Sequence, residues 1–220
     1  NPYGFSLDMQ AGKTFGKISA EGNLKIDYHF RKKALYVRAF VGKFFNFNTD
    51  PYLNNRYQLT STYSGWNDYL YDHTFLARNE NDVFWSRQIA MQEGGLKINT
   101  LMYVNQLGLS QDWLTAINLR SDIPFVNLPV QLFADIATFT EAKSSNPTGS
   151  KFLWDAGVQV NISDIVQVYI PILYSKDYQE YLTSIYGKNA FWNSISFTFH
   201  INNIQWSRPL ESTGLSKLLK

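Results

Sequence analysis

From Gly16 to Phe30 the chain separates into two sets. Gly16, Ile18, Ala20, Gly22, Leu24, Ile26, Tyr28 and Phe30 fall on one side, and Lys17, Ser19, Glu21, Asn23, Lys25, Asp27 and His29 on the other. A period of two marks a β-strand, because successive side chains point to opposite faces of a sheet. The pattern recurs in Tyr3, Phe5, Leu7 and Met9 against Gly4, Ser6, Asp8 and Gln10, and in Leu35, Val37, Ala39 and Val41 against Tyr36, Arg38, Phe40 and Gly42. It continues with Leu96, Ile98, Met102 and Val104 against Lys97, Asn99, Tyr103 and Asn105, and with Trp113, Ile117 and Leu119 against Asn118 and Arg120. Val130, Leu132, Ala134 and Ile136 oppose Gln131 and Asp135, with Phe133 the exception on the polar face. Three late segments follow: Phe152 to Ile162, Val166 to Ile172, and Phe191 to Ile201, whose other faces carry Asp155, Gln159, Asn161, Gln167, Ser194, Ser196, Thr198 and His200.

Turn-forming sequences punctuate these runs: Ala11-Gly12-Lys13, Gly65-Trp66-Asn67-Asp68, Asn79-Glu80-Asn81-Asp82 and Glu93-Gly94-Gly95. Strands from Tyr57, Tyr69 and Val83 fit between them, which brings the total to about twelve, or about ten if Trp66 to Gln92 is one long loop. Short links near Lys32, Asn67, Gly94, Phe125 and Ser163 then collect at one end. The long links, Asn46 to Arg56, Thr140 to Ser150 and Ser175 to Ala190, collect at the other with the tight Ala11-Gly12-Lys13 turn. That asymmetry predicts an all-β antiparallel transmembrane barrel with short periplasmic turns and longer extracellular loops. Residues 1–202 form the barrel and 203–220 a C-terminal periplasmic tail.

Alternation alone also describes a soluble β-sandwich or a lipocalin-like barrel. Composition separates the readings. Aromatics reach 16% while charged residues are only 17%, a poor ratio for a wholly water-facing surface and a natural one for a lipid band with aromatic girdles. In a barrel, the polar face becomes a lumen. Lys17, Glu21, Lys25, Asp27, Arg38, Lys97, Arg120, Asp135 and Asp155 then form a polar network, with opposite charges pairing between neighbouring strands. The Arg31-Lys32-Lys33 turn predicts Asp27 opposite Arg38, and Phe40, Phe133, Tyr36 and Tyr103 narrow the interior.

No apolar run approaches the roughly 20 residues of a membrane helix, so any span is built from strands. The 20 basic and 18 acidic residues are spread along the chain, and no basic stripe suggests nucleic acid. Without cysteine there is neither a disulfide framework nor a thiolate zinc site. Asn1 is not an initiator methionine and no signal peptide follows it, so the chain reads as a mature product or a piece of something longer.

Chemistry is sparse. H-E-x-x-H, G-x-S-x-G, P-loop and dinucleotide-binding patterns do not occur. His29 and His200 sit on polar strand faces, and Asp68, Asp72 and His73 form the densest acid and histidine group, read as turn chemistry. Catalytic, cofactor and metal sites are therefore not expected.

Asn1-Pro2-Tyr3-Gly4-Phe5-Ser6, Gly42-Lys43-Phe44-Phe45, Asp68-Tyr69-Leu70-Tyr71-Asp72 and Glu93-Gly94-Gly95-Leu96-Lys97 resemble the C-terminal part of large gluzincin-type aminopeptidase-like proteins of Bacteroidota. There, a peptidase region precedes an outer-membrane barrel. The resemblance implies the membrane portion of a longer protein, with its zinc ligands elsewhere. The expected function is an outer-membrane anchor or scaffold for an envelope protein, with outer-membrane lipid and an N-terminal peptidase region or other envelope proteins as partners. The alternatives are a small pore or transporter and, behind it, an enzyme at the barrel rim, which requires Ser, His and an acid to converge.

Overall fold

The computed structural model describes residues 2–29, 33–48, 50, 54–62, 75–79, 81–82, 84–100, 107–124, 128–162 and 165–200. Eight strands form one antiparallel sheet in the order β1 (Tyr3–Ala11), β2 (Phe15–Asp27), β3 (Ala34–Asn46), β6 (Trp113–Asp122), β7 (Val130–Phe139), β8 (Leu153–Asn161), β9 (Val166–Tyr174) and β10 (Ser196–Phe199). Two short strands, β4 (Tyr57–Gln58) and β5 (Leu109–Ser110), pair separately. Three helices, α1 (Ala142–Ser145), α2 (Lys176–Tyr186) and α3 (Ala190–Ser194), lie in the links at the end where β7 and β9 finish. The fold is all-β and antiparallel, as the alternation predicts.

Register aligns the apolar rows. Leu24 faces Val37, Val37 faces Leu119, and Leu119 faces Ala134; Ala134 faces Ala156, while Leu132 faces Val158 and Val158 faces Ile170. Side chains directly opposite one another share a face, so these rows merge into one continuous outward surface. Ile117 and Leu132 are 48% and 49% exposed on it. The inward rows carry Arg38, Asn118, Asp135, Asp155 and Gln159, and of these Asn118, Asp135, Asp155 and Gln159 are buried. Along these rows apolar side chains are exposed and polar ones are covered, the reverse of a water-soluble protein's usual arrangement.

A five-residue stretch shows how strongly the sheet curls. The Glu93 carbonyl accepts from Arg38 on β3, and the Lys97 carbonyl accepts from Ser196 on β10. Between those two strands, Asn118 of β6, Asp135 of β7 and Asp155 of β8 also bond residues 94–98. Five strands thus converge on one short stretch, and the sheet wraps round segments 54–62, 84–100 and 107–110. Gly42 permits this close packing: a Cβ there would meet the Tyr57 ring at 2.5 Å. Among the described residues β1 and β10 do not pair with each other, and β10 instead takes Gln88 in a parallel bridge.

At the end with long links, the interior is an apolar core of Phe40, Phe44, Tyr57, Leu59, Leu96, Ile98, Leu114, Phe139 and Leu153, closed by Tyr178, Tyr181 and Leu182 of α2. This overturns part of the sequence reading. Leu96 and Ile98 do not form a lipid-facing strand but lie in that core, and the strand expected at Val83 is replaced by a 3₁₀ turn at Trp85–Arg87. The strand from Tyr57 is only two residues long. Phe191, expected to open the last strand, belongs to α3. The Glu93-Gly94-Gly95 turn exists, with Glu93 and Gly95 at positive φ, but it packs inside the sheet and does not join strands at its rim. The strand expected at Tyr69, the Gly65 to Asp68 turn, Tyr103 and the proposed tail lie outside the described residues.

Candidate functional site

The end of the interior nearest the short links is polar. Arg38 projects inward from β3 and donates to Glu21 Oε2 at 2.7 Å, Asn118 Oδ1 at 2.8 Å and the Glu93 carbonyl at 2.8 Å. Asn118 of β6 donates to Asp135 Oδ1 at 2.9 Å and to the Gly94 carbonyl. Lys97 Nζ meets Asp135 Oδ2 at 2.8 Å, with both side chains nearly inaccessible at 3% and 1% exposure. The ammonium also lies over the rings of Phe133 and Tyr169, 5.4 Å from each centroid. Asp155, directly opposite Asp135 in the ladder, accepts the backbone N–H groups of Lys97 and Ile98 on Oδ2. Arg38 and Lys97 are thus each paired with a carboxylate, as burial in low dielectric requires, whereas Asp155 is held by backbone N–H groups on Oδ2 and its Oδ1 has no partner among the described residues.

Toward the rim, a second chain of hydrogen bonds crosses the strands. Gln131 donates to Asp122, Asn161 to Gln131, and Gln159 to both Asn161 and Gln167. Tyr169 donates to Gln167 and shares a 3.3 Å contact with Thr198. Between the two networks is a cavity of about 430 Å³ lined by Tyr36, Met91, Lys97, Arg120, Phe133, Asp135, Tyr169 and His200 among others.

The structure brings together Glu21, Arg38, Lys97, Asp135 and Asp155 from the set expected of the sequence. Lys17 also faces inward, over the rings of Phe44 and Tyr57. Lys25 lines the cavity and pairs with Asp27 along its own strand at 2.8 Å. Asp27 does not meet Arg38: it pairs with Ala34 in the ladder, and Asn23 stands opposite Arg38. The pairing of Asp27 with Ala34 centres the reversal two residues earlier than an Asp27–Arg38 pair requires, so Glu21, diagonal to Arg38, takes the guanidinium. His29 lies beyond the end of β2 and is exposed, whereas His200 lines the cavity. His73, Asp68 and Asp72 lie outside the described residues.

The Glu93 and Gly94 carbonyls, Asn118 and Tyr169 belong to the network beyond the charged residues expected of the sequence. Asn118 and Tyr169 stood in alternating positions, but only the partner strands show what they bind. Among the described residues no three histidine or acidic side chains gather as metal ligands. Compared with known proteins, the chain matches no family model, no curated protein and no solved structure.

Proposed function

We propose that the chain is a β-barrel of a bacterial outer membrane with a filled lumen, serving as anchor or scaffold for an envelope protein. The observation that carries this reading is the aligned outward face. Among the described residues of the sheet strands, its only charged member is Lys43, at the end with long links, where it pairs with Asp112 and lies over Phe45. A water-facing sheet has no reason to exclude charge from one side while burying Lys97 and Asp135 on the other. A lipid-facing one does, because a lysine or arginine at mid-bilayer costs roughly 2–4 kcal/mol.

Strand length agrees. β1, β2, β3, β6, β7, β8 and β9 run 9 to 13 residues, and a tilted strand needs about 9–11 to cross the hydrocarbon layer. Phe45, Trp113, Phe152 and Trp154 sit near one rim of the outward face, where amphipathic rings suit a membrane interface. The apolar core and α2 occupy the interior that a pore would need to keep open, which favours the anchor over the pore. The resemblance to the membrane part of gluzincin-type aminopeptidase-like proteins makes an N-terminal peptidase region the proposed cargo, held on the side where the short links collect.

The chain reconstituted into liposomes should resist extraction by alkaline carbonate and urea, and should add no large steady conductance to a planar bilayer. Release by the wash would contradict the membrane reading. Retention with large, ion-selective conductance would contradict the anchor in favour of a pore.

A further inference from the structure

Among the described residues, three salt bridges in and beside the cavity leave the Arg120 guanidinium and the Asp155 carboxylate without an ion pair. Lys25 pairs with Asp27, Arg38 with Glu21, and Lys97 with Asp135. Arg120, also in the cavity wall, makes no hydrogen bond or ion pair to any described residue, and its Nε is fully covered. Its guanidinium lies over the Tyr36 ring, 4.3 Å from the centroid. The nearest acid along its own strand face, Asp122, is occupied by the Gln131 amide and the Ala34 N–H. A guanidinium cannot shed its proton, so it is left charged in a half-enclosed site.

We propose that this cavity binds a small organic anion, its carboxylate or phosphate gripped by Arg120 and its apolar body laid on Met91 and Phe133. The planar fork of an arginine matches both head groups bidentately, and stacking on Tyr36 fixes the plane in which they are received. The walls are largely apolar, which selects an organic acid over a bare inorganic ion. The occupant does not pass through the opposite end of the interior, which is filled by the apolar core. This site does not depend on the membrane reading, since it is formed by Tyr36, Arg120 and Phe133 of the covered face together with Met91 of the enclosed segment.

The test uses the purified full chain in a non-ionic maltoside detergent, with hexanoate, hexyl phosphate and hexanol as probes. Hexanoate or hexyl phosphate should bind saturably and should slow modification of Arg120 by phenylglyoxal about tenfold, read by peptide mapping; hexanol should do neither. Whichever head binds more tightly assigns the class. Arg120→Gln should weaken binding by about tenfold or more, while Lys43→Gln at the other end should leave it unchanged. The phenylglyoxal experiment needs no variant and so survives a misfolded Arg120→Gln. No saturable binding of either anion, equal binding of hexanol, or no protection of Arg120 in the wild type would overturn the site.

Discussion

Lys97 ties three strands of the sheet to the interior segment. Its ammonium neutralises Asp135, its N–H caps Asp155 and its carbonyl receives Ser196. Lys97→Met keeps most of the volume but leaves Asp135 charged and unpaired in a buried place, a loss of about 3–5 kcal/mol. Urea unfolding in detergent should show that drop, and a midpoint unchanged from wild type would mean the pair is not enclosed. The partner of Arg38 provides a sharper contrast. Glu21→Gln should lower the temperature of the heat-induced gel shift more than Asp27→Asn, because Glu21 holds the covered Arg38 guanidinium while the exposed Asp27 holds only the half-exposed Lys25. Equal effects, or the reverse order, would restore the Asp27–Arg38 pairing that the turn sequence predicts. At this scale the acidic and basic members of the network were legible from alternation, since parity fixes the face. Their pairing was not, because it depends on where between β2 and β3 the chain reverses, and a shift of two residues there changes every partner.

Among the elements, β1 to β3 and β6 to β9 follow the alternation closely, because each is held on both sides or one side by a ladder with the same period. The interior segment defeats the same rule for a physical reason. Leu96 and Ile98 alternate with Lys97 as they would in a strand, but the N–H groups of Lys97 and Ile98 are taken by the Asp155 carboxylate and not by a neighbouring strand. A side chain from another strand replaces the ladder, and no local pattern announces it. Helix α2 was likewise hidden in a link. Its Tyr178 is wholly buried, and burial, aided by the nearby Asp155 charge, pushes the phenol well above its ordinary value of 10.0. The folded state therefore holds that proton more tightly than the unfolded chain. The associated stability is fully present below about pH 10 and is lost as pH rises toward the folded value, by up to about 1.4 kcal/mol per pH unit. Urea midpoints of wild type should fall more steeply above pH 10 than those of Tyr178→Phe. Parallel curves would show that Tyr178 ionises as freely as an exposed tyrosine.

For the whole molecule, the decisive property is which medium each face of the curled sheet meets. Alternation revealed that there are two faces, and composition suggested lipid for one. The structure adds the register that joins Leu24, Val37, Leu119, Ala134 and Ala156 across successive strands, and the segments that cover the opposite side. How the two edges of the sheet are completed was not legible in either pattern, since period-two alternation carries no information about which strands become neighbours. The absence of cysteine makes a direct test clean. Spin labels placed singly at Ile117→Cys, Leu132→Cys and, on the covered face, Gln131→Cys can be read in liposomes by their collision rates with oxygen, which concentrates in lipid, and with a water-soluble nickel chelate. The labels at 117 and 132 should collide strongly with oxygen and weakly with nickel, and the label at 131 should not share that lipid signature. Strong nickel collisions at 117 and 132 in membrane-bound protein would place the apolar face in water and contradict the barrel.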